Sequence, residues 1–407
     1  MFLDLNTLIL PLALLALVVV LGVLVMSLLL PRLRRLRRTY RAEMAAMEDD
    51  GDIEYPAVSV IVTAIYDAQA LPDLLPALLT QDYPAPMEVI VVSGGDSAFT
   101  DEIVQQLQQR FTNLYMTFAP QHSRNVSRRK LAITLGVKAS AYDYVLITSG
   151  NCHIASPLWL RSMARHFALG EEIVTGGSLL RNIDDDELLP SRTIAFDRER
   201  TMVQYMAAAI AGKMYRADGR NMGYAKRLFM DRKGFSETLS MVNGDDDVFV
   251  DTISRGVKCG VELSDMSRVK VAVSSIKEEH QGEKTARQFT SLHTRRGTYR
   301  LWGFMSWLWV GTFLAALAAI AVSLPWSNLM GGLLTWLPAI AVAVCVTLLM
   351  VGICVPVMVS WRKTAIVLGG RPLCLTVPWF MLWHPIYTLK CKIRGRRDSR
   401  NYTWQAP

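Results

Sequence analysis

Cysteine and histidine are scarce, with six of each in 407 residues. The cysteines are scattered and no CxxC pair or His/Cys ligand spacing occurs, which removes a zinc site or a disulfide framework as the organising element. The soluble part therefore reads as cytosolic and reduced. No internal repeat or low-complexity tract is present. Charge is missing altogether from residues 8–30, 301–324 and 330–361. Uninterrupted apolar runs of this length match the roughly 20 residues needed to cross a hydrocarbon core. The first is too long for the apolar part of a signal peptide, and its basic flank follows rather than precedes it. The last two are separated only by Pro325-Trp326-Ser327-Asn328-Leu329 and read as a hairpin.

Acidic residues are the minority, 36 against 44 basic, for a net charge of +8. The excess sits beside the apolar runs: Arg32 to Arg41 after the first, Arg295, Arg296 and Arg300 before the second, Arg362 and Lys363 after the third, and Lys390 to Arg400 in the tail. This placement follows the positive-inside rule and suits anionic lipid heads, so the basicity points to a lipid bilayer and not to nucleic acid. It predicts a multi-pass protein of the cytoplasmic (inner) membrane, with residues 32–300 and the tail from Lys390 in the cytosol and Met1 and Trp326 outside. Residues 373–389 are apolar but contain Pro378, His384 and Pro385, which favours an interfacial or re-entrant helix over a fourth span.

Between the membrane segments, short β-branched runs at 58–64, 87–92, 114–118, 144–147 and 173–177 alternate with amphipathic stretches at 71–81, 101–111, 127–140 and from Pro157. That rhythm predicts an α/β domain with a mostly parallel central sheet and helices on both faces. Ligands of such sheets bind beyond the carboxyl ends of the strands, which directs attention to residues 64–70, 93–100 and 148–156. A long helix is expected over 188–210, and Gly244-Asp245-Asp246-Asp247 heads another at 248–254. The expected segments are a transmembrane helix (1–31), a juxtamembrane linker (32–54, polar and acidic from 44), a cytosolic domain (55–300), a membrane hairpin (301–361) and an interfacial segment with basic tail (362–407).

The stretch from Pro56 to Ala64 followed by Leu79-Thr80-Gln81-Asp82-Tyr83-Pro84 resembles the opening of the inverting family 2 glycosyltransferases. Gly219-Arg220-Asn221-Met222-Gly223-Tyr224, Lys233-Gly234-Phe235 and Gly244-Asp245-Asp246-Asp247 are similar to its acceptor-side motifs, and His293-Thr294-Arg295-Arg296-Gly297 occupies the place of its Gln-x-x-Arg-Trp motif. The resemblance implies a GT-A type nucleotide-sugar-binding domain plus transmembrane α-helices. It also implies transfer from a nucleotide-sugar donor to a lipid-linked or polysaccharide acceptor.

Inverting transfer needs a carboxylate to take the proton of the attacking hydroxyl, and the resemblance maps that base onto Asp246, between Asp245 and Asp247. The alternative for these residues is stabilisation of a helix N-terminus, where negative charge is favourable; one carboxylate suffices for that and three repel one another. Arg295 and Arg296 suit a diphosphate through their forked donors, and equally suit the role of positive-inside anchors.

On the donor side, the resemblance calls for an acidic residue after the first strand, a place Asp67 can fill beyond Thr63, and for an Asp after the second, where Ser93 stands instead with Asp96 close by. Lys130 at the helix start Ser127-Arg128-Arg129-Lys130 is a candidate to offset phosphate charge, or part of a solvated face. The family's metal-binding Asp-x-Asp reads Ser149-Gly150-Asn151. A Mn or Mg ion is normally held by carboxylate oxygens, so divalent-cation dependence is expected to be weak or absent. Asn151 and His153 remain either diphosphate or weak metal ligands, or ordinary loop residues. The missing carboxylates also leave open a pseudoenzyme that serves as partner subunit of another membrane glycosyltransferase.

Overall fold

The computed structural model describes residues 5–48, 51, 53–65, 68–94, 98–120, 127–183, 188–238, 241–294, 296–325 and 332–397, without the side chains of 5–8, 48 and 296–299. It comprises two compact units, one of Met1–Arg34, Gly297–Ile366 and Pro372–Leu389, the other of Arg35–Arg296, Val367–Arg371 and Lys390–Pro407.

The first unit is helical. Helix α1 (Leu5–Glu48) supplies its apolar N-terminal part, and α10 (Arg296–Ser323), α11 (Leu333–Val367) and most of α12 (Val377–Arg397) supply the rest. Gly22 lets α1 approach α11 closely, since a β-carbon there would lie 2.2 Å from Cδ1 of Ile353; small residues serve this purpose at membrane helix contacts. The hydroxyls of Ser306 and Thr312 donate to the carbonyls of Trp302 and Leu308 at 2.9 Å, and Trp309 Nε1 donates to Pro378 O at 3.0 Å. These three polar groups are thus satisfied internally, as a bilayer requires. Leu12, Leu314 and Leu348 point outward and are exposed. Ile9–Met47, Arg300–Ser323 and Leu333–Val367 are long and apolar enough to span.

One boundary needs revision. The polar linker from residue 44 is instead the continuation of α1 to Glu48, because the segment is rich in Ala, Met, Arg and Glu, which are strong helix formers. The segment 373–389 begins its helix at Val377 and runs unbroken past Pro385 to Arg397. Residues 326–329 of the hairpin connection lie outside the described residues.

The second unit is built on a seven-stranded sheet of order β3-β2-β1-β4-β8-β6-β9. Its strands are β1 (Val58–Ala64), β2 (Met87–Ser93), β3 (Leu114–Phe118), β4 (Tyr144–Ser149), β6 (Ile173–Thr175), β8 (Met222–Ala225) and β9 (Cys259–Val261). All neighbours pair parallel except β8, which is antiparallel to both β4 and β6. The mostly parallel α/β sheet expected from the sequence is present. A smaller sheet, β5-β10-β7, joins β5 (Cys152–Ile154), β10 (Val269–Val273) and β7 (Ser178–Asn182). Every residue of β1 is buried, Ser59 and Thr63 included, which explains the lack of an exposed polar face: strands covered on both faces do not alternate.

Helices α2 (Leu71–Leu79), α3 (Ala98–Gln108), α4 (Arg128–Ala139) and α5 (Trp159–Ala168) follow the expected rhythm, and the short α7 (Lys226–Asp231) follows β8. Helix α6 (Arg192–Ile210) starts four residues later than expected. Pro190 disfavours helical backbone before it, and Ser191 Oγ caps the new start by accepting from Ile194 N at 3.4 Å. Leu146 and Val60 of the sheet and Leu78 and Trp159 of the helices share one buried core.

Away from the carboxyl ends of β1 and β4, His166 of α5 lies between Glu171 Oε2 (2.5 Å) and Glu262 Oε2 (3.1 Å). Burial alone would keep the imidazole neutral, but the hydrogen bonds and charges of the two carboxylates prevail and raise its pKa to about 10. A raised histidine pKa contributes stability that is complete below the unfolded value of about 6.5 and is lost as pH rises through the folded one. The apparent unfolding temperature is therefore expected to fall between about pH 7 and pH 10, with a shallower fall in His166→Gln. Equal slopes in the two proteins, followed by differential scanning fluorimetry, would contradict the charged assignment.

Candidate active site

Gly244 turns the chain with φ +110°, a left-handed value that favours glycine, and delivers three consecutive aspartates to the start of α8 (Val248–Ile253). The structure gives each a different task. Asp247 is the N-cap: Oδ1 accepts from Val248 N at 2.6 Å and Oδ2 from the Thr290 hydroxyl. Asp245 is buried and pairs with Arg129 Nε at 2.8 Å. Asp246 is more open, with a side chain 26% exposed, and its Oδ2 lies 3.8 Å from the buried Arg216 guanidinium. Capping thus accounts for one carboxylate and leaves the other two for other work.

All three border a cavity of about 410 Å³. Its opposite wall is helix α9 (Ile276–Thr290), whose Glu279, Gly282, Glu283, Ala286, Arg287 and Thr290 recur every three or four residues and so share one face. Glu283 accepts from Arg198 (2.9 Å), Arg220 (2.5 Å) and Arg287 (2.7 Å), and Arg220 also pairs with Glu279. Arg220 and Gly219 come from the loop before β8, where Asp218 accepts from Ser178 N, Ser178 Oγ and Arg220 N.

Arg129, at the start of α4, ties these parts together. Besides Asp245 it reaches Gly219 O (2.5 Å) and Thr63 Oγ1 (3.4 Å). Thr63 and Ser149 are register partners at the carboxyl ends of β1 and β4. At that point the sheet order reverses, β2 lying on one side of β1 and β4 on the other, which is where open α/β sheets bind ligands.

The sequence profile of the glycosyltransferase like family 2 matches residues 56–273, more than half of the chain and inclusive of the acidic turn. The chain belongs to that family. It is a glycosyltransferase, and sugar transfer from a nucleotide sugar is its reaction class. Among solved structures it is similar to the mannosyltransferase PcManGT from Pyrobaculum calidifontis in complex with GDP-Man and Mn2+, at 16% identity over 93% of this chain and 99% of that one, TM-score 0.49. Staphylococcus aureus TarS 1–349 is similar at 14% identity over 84% and 92% of the respective chains, TM-score 0.38. Its complex with UDP-GlcNAc is similar at 12% over 85% and 92%, TM-score 0.39. No curated protein matches significantly.

Electrostatics set Asp245 of this glycosyltransferase apart from Asp246 and Asp247, both of which burial raises above the ordinary carboxylate range. Burial and the adjacent charges of Asp247 and Asp245 raise the Asp246 pKa to about 7, against the pull of Arg216 and Arg287. Burial opposes ionisation of Asp245 too, but the charge and hydrogen bond of Arg129 hold its carboxyl below the ordinary range. A carboxyl that ionises near neutral pH in a cavity is suited to take up a proton.

The sequence-predicted donor residues are placed unevenly. Lys130 is buried, donates to Thr238 O (2.7 Å) and Met241 O (2.9 Å), and lies over the Phe235 ring. Burial lowers its pKa to about 8 against the pull of Asp245, Asp247 and Asp246. Two of its three donors thus fasten the segment before the acidic turn, a structural task instead of the expected phosphate contact. Asn151 is likewise buried, not an open loop residue: its side-chain amide donates to Ala272 O (3.3 Å) and its carbonyl accepts from Ala272 N (2.8 Å). His153 lies within β5, opposite Lys270. Asp67, Asp96 and Arg295 lie outside the described residues; Arg296 opens α10, with its side chain also outside them.

A divalent cation fits poorly at Ser149-Gly150-Asn151. The positions offer a hydroxyl directed at Thr63 O (3.4 Å) and a structurally engaged amide, with no carboxylate oxygen. Among the described residues no cluster of three His, Cys, Asp or Glu is spaced to hold a metal ion.

Sequence reasoning named Arg129 only within a helix start suited to phosphate, not as the partner of Asp245, and missed Arg216 and the α9 wall. One signal for α9 was available: Ser275-Ile276-Lys277-Glu278 has the Ser-x-x-Glu capping spacing, and Ser275 Oγ accepts from Glu278 N at 3.4 Å.

Proposed function

We propose that this glycosyltransferase is anchored in the cytoplasmic membrane, takes a nucleotide sugar from the cytosol, and transfers the sugar with inversion to a hydroxyl of a lipid-linked or polysaccharide acceptor. The observation that carries the proposal is Asp246, a carboxylate open to the cavity with its pKa raised to about 7. In the reaction, Asp246 accepts the proton of the acceptor hydroxyl as that oxygen attacks the anomeric carbon. The bond from that carbon to the diphosphate oxygen breaks, and the nucleoside diphosphate leaves with the electron pair. Attack opposite the leaving group inverts the anomeric centre.

The donor is assigned to the crevice beyond β1 and β4, with Thr63, Asp67 and Asp96 towards the nucleoside and Arg295 and Arg296 towards the diphosphate. Arg129 holds Asp245 and the Gly219 loop in place. The apolar helices support a bilayer location, and the flanking Arg/Lys clusters support the cytosolic orientation of residues 32–300. A reporter fused after residue 290 is expected to be active only in the cytosol; periplasmic activity would reverse the orientation.

Because Ser149 and Asn151 lack carboxylates, diphosphate charge falls to guanidiniums and backbone amides. Calorimetric titration of UDP and GDP into the full chain is expected to give affinities that change less than about threefold on adding Mn²⁺. A Ser149→Asp/Asn151→Asp double variant is expected to gain cation dependence. A strong Mn²⁺ requirement in the wild type would overturn this part of the assignment. The same two residues support a second reading, a family 2 scaffold that partners another membrane glycosyltransferase; failure to bind any nucleotide would favour it.

A further inference from the structure

Glycine is the poorest helix former after proline, yet Gly282 sits in the middle of α9, a 15-residue helix. Such glycines are normally explained by close packing, and for the other described helix glycines of the same compact unit that explanation holds, whereas Gly303 and Gly352 of the apolar helices are open. A β-carbon would lie 2.4 Å from Ile61 at Gly136 of α4 and 3.2 Å from Thr285 O at Gly395 of α12. At Gly282 it fails, because an added β-carbon meets no heavy atom within 4 Å. Nor is its backbone conformation left-handed. The protein's own packing gives no reason for the missing side chain. What lies beyond it is the cavity that also holds Asp246, bordered on the same helix by Glu279 and Glu283.

We infer that Gly282 is a specificity-determining residue of the acceptor subsite, leaving room on α9 for an uncharged sugar ring whose hydroxyl faces Asp246. The inference rests on the reading of Asp246 as the base. The charge of the lining gives the ligand its class. Six carboxyl groups border the cavity against the three guanidiniums of Arg129, Arg220 and Arg287. Arg220 and Arg287 are already paired with Glu283, and Arg129 with Asp245. A phosphate or uronate would meet an acidic surplus with its cations engaged, whereas neutral hydroxyls can donate to the carboxylate lone pairs left over. Keeping a weak helix former at an open position is the kind of departure from local preference expected where a ligand must fit.

Full-length protein in lipid nanodiscs, as wild type, Gly282→Ala and Gly282→Leu, tests this. The probes are methyl glycosides of glucose, mannose, galactose and N-acetylglucosamine, with methyl glucuronide as the anionic comparison, followed by saturation-transfer NMR. UDP and GDP titrations run alongside. At least one neutral glycoside is expected to bind the wild type. Gly282→Leu should weaken that binding by at least about tenfold without changing nucleotide affinity, and Gly282→Ala should raise the apparent unfolding temperature. If Gly282→Leu is unstable, Gly282→Gln replaces it with the same expectation. Neutral glycosides that bind the leucine variant as well as the wild type, a preference for the glucuronide, or no glycoside binding by the wild type would each overturn the inference. Glycoside binding that disappears in Gly282→Leu, in a protein that binds no nucleotide, would instead sink the proposed function and leave the subsite standing.

Discussion

Replacement of Asp246 by asparagine is expected to lower sugar transfer by at least about 10²-fold while nucleoside diphosphate affinity stays within about twofold of wild type. Asparagine keeps the shape of the side chain and its contact with Arg216 but cannot take up the proton of an attacking hydroxyl. The same change should stabilise the fold. The Asp246 pKa, raised to about 7 by burial and its two neighbouring carboxylates, makes the charged form unfavourable. Its contribution to stability is complete below the unfolded value of about 4 and is lost as pH rises through about 7. Asp246→Asn escapes that loss, so its gain in unfolding temperature should be larger at pH 8 than at pH 5. Asp247→Asn should lower transfer less, since asparagine caps a helix about as well as aspartate. Turnover of Asp246→Asn close to wild type on an identified substrate, in a radiolabelled-sugar assay, would remove Asp246 from the role of base.

The largest effect on stability is expected at Glu283, where Glu283→Ala should cost about 3–5 kcal/mol, the range for stripping one partner from a buried ionic network. Its carboxylate serves Arg198, Arg220 and Arg287 together, with its own side chain only 15% exposed. Burial opposes its ionisation, but the three guanidiniums hold its pKa well below the usual carboxylate range. The sign is opposite to that of Asp246. This stability is present above the unfolded value of about 4.3 and is lost as pH falls towards the depressed folded value. The unfolding temperature of wild type should therefore drop on acidification, and that of Glu283→Ala should start lower and drop less. Chemical denaturation that leaves Glu283→Ala within about 1 kcal/mol of wild type would show the network to be weak.

Much of the architecture was legible because its signals are local. The runs at β1, β2, β3 and β4 are apolar and β-branched, and the uncharged stretches within α1, α10 and α11 are long and apolar enough to span a bilayer. Strand β8 was hidden inside the Gly219 to Tyr224 segment. It is four residues long and pairs antiparallel in a sheet otherwise read as parallel. Helix α9 turns Glu279, Glu283 and Arg287 to the cavity and His280 and Lys284 to the buried Asp197, so few of its inward positions are apolar.

The acidic turn was legible as a site, but not the division of labour within it. That division depends on partners far away in sequence: Arg129 lies 116 residues from Asp245, and Arg220 lies 63 from Glu283. Lys130 and Asn151 show the converse. Their residue types suited phosphate and metal, yet nearby carbonyls of the folded chain take up their donors. The Ser149 and Asn151 positions could be read from sequence alone, since a missing carboxylate needs no structure to be recognised.

The central claim, that Asp246 accepts the acceptor proton, is tested most directly by the pH dependence of kcat/KM for sugar transfer by the full-length wild type between about pH 5 and pH 9. The account predicts an acidic limb with unit slope and a midpoint near 7, where Asp246 ionises. A rate that stays flat down to about pH 5, in protein that remains folded and binds donor, would contradict it.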